Sequence, residues 1–179
     1  MSNTYKIVFA GPVGAGKSTG IQALSDIPVV DTEASATDDT AALKPTTTVA
    51  MDYGLMKLPN GDQVRLYGTP GQKRFDFMWD ILARDALGLV LMLDASSRDP
   101  VADLRNYTEE FRQLIDDSTM IVGLTHTDLA HGNIRQDIAD ELLGMKLAPM
   151  VMEVDARKRN EMARLVKMLV SSIDPYINV

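Results

Sequence analysis

A chain of 179 residues, 45% hydrophobic and 24% charged, is the size and make-up of one globular domain, 1–179, with a sizeable core. A net charge of −7, from 25 acidic and 18 basic side chains, argues against a nucleic-acid surface, which needs clustered Lys and Arg. The absence of cysteine excludes disulfides, thiolate catalysis, cysteine metal centres, prenylation and palmitoylation. No signal-peptide pattern opens the chain, and no apolar run approaches the roughly 20 residues of a membrane span. The expectation is a cytoplasmic protein with no direct membrane anchor, recruited to a membrane only through a partner.

In chain order, "TYKIVFA" (4–10) reads as a buried strand, and a helix is expected from near Lys17 to about Asp26. Residues 27–48 show no clean period and read as a long loop, which is uncommon unless it has a task. "VAMDYGLMKL" and "QVRLYG" flank "PNGD", an antiparallel hairpin turning at Asn60-Gly61. "GQKRFDFMWDILARD" follows as a helix-like segment, with Phe75, Met78, Trp79 and Leu82 spaced for one face. Phe75, Phe77 and Trp79 do not all fit one narrow stripe, so this cluster is open between packing and an exposed partner anchor.

"LGLVLMLDAS" is nearly all apolar, as suits a central parallel strand buried on both faces. A helix is expected over Pro100–Ile115, a strand and loop in "MIVGLTHTD", a helix from Ile134 to Leu143 ending near Gly144, a short strand in "APMVMEV", and a last helix from Asn160 to Ile173. The fold class is therefore α/β: a mostly parallel six-stranded sheet with one antiparallel edge strand and helices on both faces. In such a sheet the sites gather at the carboxyl ends of the strands. The lysine loop, "LYGTPG", "LDAS", "THTD" and "VDARK" all fall there.

Gly11-Pro12-Val13-Gly14-Ala15-Gly16-Lys17-Ser18 matches the phosphate-loop pattern G-x-x-x-x-G-K-[ST], with Thr19 next in the helix. Glycines let backbone N–H groups converge on a polyanion, and the helix start adds its positive end. Lys17 can reach the β and γ phosphates, and the Ser18 hydroxyl can enter the oxygen shell of Mg²⁺. The pattern alone does not choose between ATP and GTP, or between kinase and hydrolase. "KPTTTVAMDYG" could bring a threonine hydroxyl to Mg²⁺, and in "LYGTPGQKRF" the Gly71 N–H could bind the γ phosphate while Gln72 orients water. Both contacts would vanish with the γ phosphate, so both loops could act as switches.

These residues give the chain a resemblance to Ras-like small GTPases of the P-loop NTPase fold, the small G domain. More closely, it resembles the prokaryotic MglA-like branch, which includes GTPases encoded beside Roadblock/LC7 proteins. "GPVGAGKS", "PTTTVAMDYG" and "YGTPGQKRFDFMWD" look especially like that Roadblock-associated group. The resemblance implies GTP/GDP binding with Mg²⁺, slow hydrolysis and nucleotide-dependent switching toward a Roadblock/LC7-like protein, with activating and exchange partners. It places Lys17, Thr48 and Gln72 at the reacting phosphate, and Ser18 and Thr48 on the metal, with Thr47 as the neighbouring choice. Gly71 goes to the γ phosphate. Asp128 reads guanine N1 and N2, and Asp155-Ala156-Arg157 supplies a backbone N–H to guanine O6.

The chain departs from that pattern in four places. Gly68 stands where most GTPases carry an aspartate that holds Mg²⁺ through water, which leaves Asp52 and Asp94 as candidate carboxylates. Thr125 and His126 replace the usual asparagine and lysine beside Asp128. Val13 is a branched residue in the loop, and crowding of Gln72 or of an incoming arginine predicts slow turnover. Asp94 otherwise reads as a loop brace and Arg74 as a solvated switch residue. Two separated histidines, His126 and His131, make no metal centre. A P-loop ATPase or kinase, and a nucleotide-binding scaffold without hydrolysis, are the competing functions.

Overall fold

The structure, a computed structural model, describes residues 2–31, 51–70 and 77–176. Among the described residues the sheet has seven strands: β1 (Thr4–Ala10), β2 (Val30–Asp31), β3 (Asp52–Lys57), β4 (Gln63–Gly68), β5 (Gly88–Asp94), β6 (Thr119–Thr125) and β7 (Met150–Glu153). They lie in the order β2-β3-β4-β1-β5-β6-β7. From β4 to β7 every pair is parallel, while β3 runs antiparallel to β4 and to β2. The six expected strands are all present. The seventh is the two-residue β2, which pairs Val30 with Tyr53 and Asp31 with Asp52 inside the stretch read as loop.

The helices are α1 (Lys17–Leu24), α2 (Phe77–Ala83), α3 (Pro100–Glu110), α4 (Arg112–Asp117), α5 (Ile134–Gly144) and α6 (Arg159–Ile173), with a short 3-10 turn at Thr127–Leu129. The expected single helix over Pro100–Ile115 is two. Phe111 leaves helical geometry (φ −97°, ψ 18°) and lies buried, its ring 5.2 Å from that of Trp79. Tertiary packing of an aromatic breaks this helix where no proline or glycine marks a break.

Alternation along the central strands builds a core on each face. Ile7, Phe9, Val90 and Met92 join Ile21 and Leu24 of α1 and Met162, Leu165 and Leu169 of α6. Val8, Leu89, Leu91 and Leu93 pack on the other side with Trp79, Leu104, Phe111, Ile138 and Leu142 from α2 to α5. Trp79 is therefore core; its indole N–H donates to the Pro70 carbonyl at 3.1 Å, and its ring lies 5.5 Å from Tyr107. Phe75 lies outside the described residues. The basic run after β7 is committed internally: Arg157 to Asp155, Lys158 to Glu161, and Arg159 to Asp26 and the last carbonyls of α1. No helix among the described residues is long and apolar enough to cross a membrane.

Candidate nucleotide-binding site

Strand β1 delivers the chain at Ala10 into the glycine loop, and α1 opens at Lys17 with no side-chain cap on its first turn. The first N–H groups of a helix have no acceptor within it, so the loop and helix start present main-chain donors and a positive partial charge to an anion. Lys17 is 7% exposed. Its ammonium donates to the Gly11 carbonyl at 2.6 Å and to that of Pro12 at 2.7 Å. Two of its three protons thus fix the side chain along the loop, and the third can serve a phosphate oxygen. Burial pushes its pKa down to about 8, with the Asp52 charge opposing. Ser18, one residue on, is exposed, and its hydroxyl donates to Asp52 Oδ2 at 2.5 Å. Val13 projects from the loop at 68% exposure, beside exposed Gly14.

The carboxyl ends of β6 and β7 close on the same loop. Thr125 is buried, and its hydroxyl lies 3.0 Å from the Ala15 carbonyl and 3.2 Å from that of Leu93. One O–H shared between these acceptors ties the phosphate loop to β5 and β6. Thr125, standing where the related pattern has asparagine, reaches both neighbours. A Cβ placed on Gly16 would come within 2.9 Å of Ala156 Cβ and 3.5 Å of Thr125 Cγ2, so the loop after β7 rests directly on the phosphate loop.

Asp155 locks that loop by accepting from the Arg157 backbone N–H at 3.0 Å and from its guanidinium at 2.9 and 2.8 Å. These bonds hold its carboxyl well below the usual carboxylate range. The Asp155 N–H donates to Glu161 Oε2 at 2.8 Å. Of the loop amides that could serve as the expected donor to the base, those of Asp155 and Arg157 are therefore engaged within the protein. Asp128 lies exposed in the 3-10 turn. Behind the dominant Asp155 pair, its charge also favours the Arg157 cation.

His126 sits in left-handed geometry (φ 54°) with Nδ1 3.2 Å from Asp94 Oδ1 and 3.2 Å from Thr125 Oγ1. Asp94 Oδ1 also accepts from the Ser96 N–H and hydroxyl at 2.8 and 2.6 Å. Through Oδ1, Asp94 braces the loop after β5.

A family model described as "Conserved hypothetical ATP binding protein" matches residues 9–179. The chain belongs to that family. It is also 24% identical, over its full length, to the Ras and EF-hand domain-containing protein of Danio rerio, of which the match covers 26%. It is 25% identical over 93% of its length to Ras-related protein Rab-18-B of the same fish, covering 68% of that protein. A 39% identical stretch of 49 residues links it to an uncharacterized protein of Methanocaldococcus jannaschii. The chain thus spans about a quarter of the first relative and two thirds of the second. This member of the ATP-binding-protein family is a nucleotide-binding P-loop NTPase of the small-GTPase-like superfamily, distantly related to Ras and Rab proteins.

In this family member Lys17, Ser18, Thr125, Ala156 and Asp128 converge on one end of the sheet. Thr47, Thr48, Gly71, Gln72 and Arg74 lie outside the described residues. One anchoring position near the site escaped the sequence reading. Thr69 is buried, and both its N–H and its hydroxyl donate to the Phe9 carbonyl, at 2.9 and 3.1 Å. It pins the chain two residues before Gly71 to the strand that feeds the phosphate loop. Nothing local in "YGTPG" distinguishes it from any turn threonine.

Proposed function

We propose that the chain is a GTP-dependent switch with slow hydrolysis, of the MglA-like, Roadblock-associated kind, which acts on a Roadblock/LC7-like protein. The observation that carries this reading is the anchoring of the chain beside both expected switches, one at the phosphate-loop serine and one on the strand that feeds the loop. Asp52, where β3 begins, bonds to Ser18, and Thr48 lies four residues before it, within ~14 Å of chain reach. Thr69 and Pro70, just ahead of Gly71 and Gln72, are held by Phe9 and Trp79. Contacts of Thr48 and Gly71 with a γ phosphate would tighten both segments, and loss of that phosphate would release them.

In the reaction, Lys17 offsets charge on the β and γ phosphates, the Gly71 N–H holds a γ oxygen, and Gln72 orients the attacking water. The Ser18 and Thr48 hydroxyls would hold a Mg²⁺ ion, which when bound would neutralise charge on the phosphate oxygens. An activator supplies an arginine or orders Gln72.

Guanine over adenine rests on Asp128. A carboxylate accepts from guanine N1–H and N2–H, whereas adenine presents an unprotonated N1 that repels it. The Ala156 N–H is the amide left for O6. Competition between GTP and ATP for the purified protein tests this: GTP should win, and Asp128→Ala should cost GTP about 10- to 100-fold in affinity while leaving ATP unchanged. Equal competition in the wild type removes the guanine preference, and a preference for ATP favours the adenine reading that the family description carries. Slow turnover rests on exposed Val13. Val13→Gly is expected to raise the single-turnover hydrolysis rate about tenfold; an unchanged rate, with and without an activating partner, removes the crowding explanation.

A further inference from the structure

We infer that Trp79 is a positioning residue for the γ phosphate: through the Pro70 carbonyl it sets the plane of the peptide whose N–H belongs to Gly71. The inference rests on the role proposed above for that N–H. Gly71 itself lies outside the described residues, and the structure shows how the chain is held up to it.

Three holds act in sequence. Thr69 is buried, and its N–H and hydroxyl both donate to the Phe9 carbonyl of β1, at 2.9 and 3.1 Å. Pro70, also buried, follows with its φ fixed by the ring. One backbone rotation, ψ of Pro70, is then left before the next peptide. That rotation turns the Pro70 oxygen, and the indole N–H of Trp79 holds the oxygen at 3.1 Å. A trans peptide is planar, with its C=O and N–H pointing opposite ways. A donor that fixes the oxygen therefore fixes the line along which the following N–H donates.

The indole is itself held. Its ring stacks on Phe111 at 5.2 Å and 25° and lies 5.5 Å from Tyr107, two residues one turn apart at the end of α3. Burial obliges an indole N–H, which can only donate, to find an acceptor. The bearing on the site lies in which oxygen it finds. Hydrogen bonds weaken steeply off line, so a turn of this peptide would cost the bond to a γ oxygen. The contacts of the loop and α1 with the inner phosphates would stay as they are. Loss of triphosphate affinity alone is the mark of this role.

Trp79→Phe keeps an aromatic ring against Tyr107 and Phe111 and removes the donor. Affinities of the full chain for GDP, ADP and the imidotriphosphates of both nucleosides are measured with Mg²⁺, together with thermal unfolding. For whichever base the wild type takes, the variant should bind the triphosphate analogue about tenfold or more weaker and the diphosphate within about twofold of wild type. A merely structural role lowers both affinities alike. Equal losses, or no loss, overturn the inference. Trp79 is the one tryptophan of the chain, so global replacement with its benzothiophene isostere removes the N–H and keeps the bicyclic shape. That protein should show the same selective loss, and it decides the matter where Trp79→Phe does not fold; parity with wild type overturns the inference while leaving the nucleotide reading intact. Wild-type uptake of none of the four nucleotides overturns the nucleotide reading and the inference with it.

Discussion

Lys17→Met is expected to weaken nucleotide binding at least about 100-fold, or roughly 3 kcal/mol, while the protein stays folded. The lysine is buried along the loop by its bonds to the Gly11 and Pro12 carbonyls, so its charge is held at the anion site at little further entropic cost on binding. Methionine keeps the stem and removes the charge. Equilibrium binding and thermal unfolding, measured on the same samples, separate loss of the site from loss of the fold.

A pH dependence follows from the same side chain. In the ligand-free protein its pKa is pushed down to about 8 by burial. A polyphosphate favours the charged form, so the complex holds that proton more tightly than the free protein. Affinity should be flat below pH 8 and fall, by up to about tenfold per unit, as pH rises above it. The ligand-free fold responds in the opposite sense. With a folded pKa below the unfolded 10.5, the unfolded chain binds more protons between about 8 and 10.5. Lys17 therefore adds stability as pH climbs through that window. The binding slope should disappear in Lys17→Met.

Gly11→Ala is expected to cost about 3 kcal/mol or more of stability, a large share of what a domain possesses. Gly11 adopts φ 136°, and a Cβ there would sit 2.0 Å from the Met92 carbonyl oxygen. That oxygen belongs to the backbone of β5, a central strand paired on both sides, so it cannot move aside. Gly14→Ala separates backbone strain from this collision. Gly14 also has positive φ, 83°, but nothing lies within 4 Å of its would-be Cβ, so its replacement should cost only about 1 kcal/mol. Urea midpoints of the two variants measure the difference. Similar losses would show that strain, and not the approach of β5, makes the first glycine necessary.

Much of this architecture is legible in the residues because local signals and global position agree. The apolar run through Leu93 reads as a central strand and is one, buried on both faces. Asn60-Gly61 reads as the hairpin turn, where the Gly61 N–H donates to the Leu58 carbonyl and Asn60 Oδ1 accepts from the Asp62 N–H. The glycine loop reads as a phosphate cradle because its spacing has a mechanism.

What escapes is non-local. The Phe111 break depends on Trp79, more than thirty residues earlier in the chain. Strand β2 is two residues long, too short to show a period, and exists only because β3 has an edge to offer. The reach of Thr125 to both Ala15 and Leu93 comes from two strand ends meeting the phosphate loop, which no spacing reports. The meeting of Asp52 with Ser18 depends on a β3–β4 register that turn chemistry alone does not fix. The sequence could name Asp52 as a candidate and not place it.

The most direct measurement is calorimetric titration of the purified chain with GTP, GDP and ATP in the presence of Mg²⁺. One-to-one binding of guanine nucleotides with Kd of about 1 μM or tighter is the expected result. Absence of saturable uptake of all three would mean that the loop from Gly11 to Ser18 does not hold phosphate.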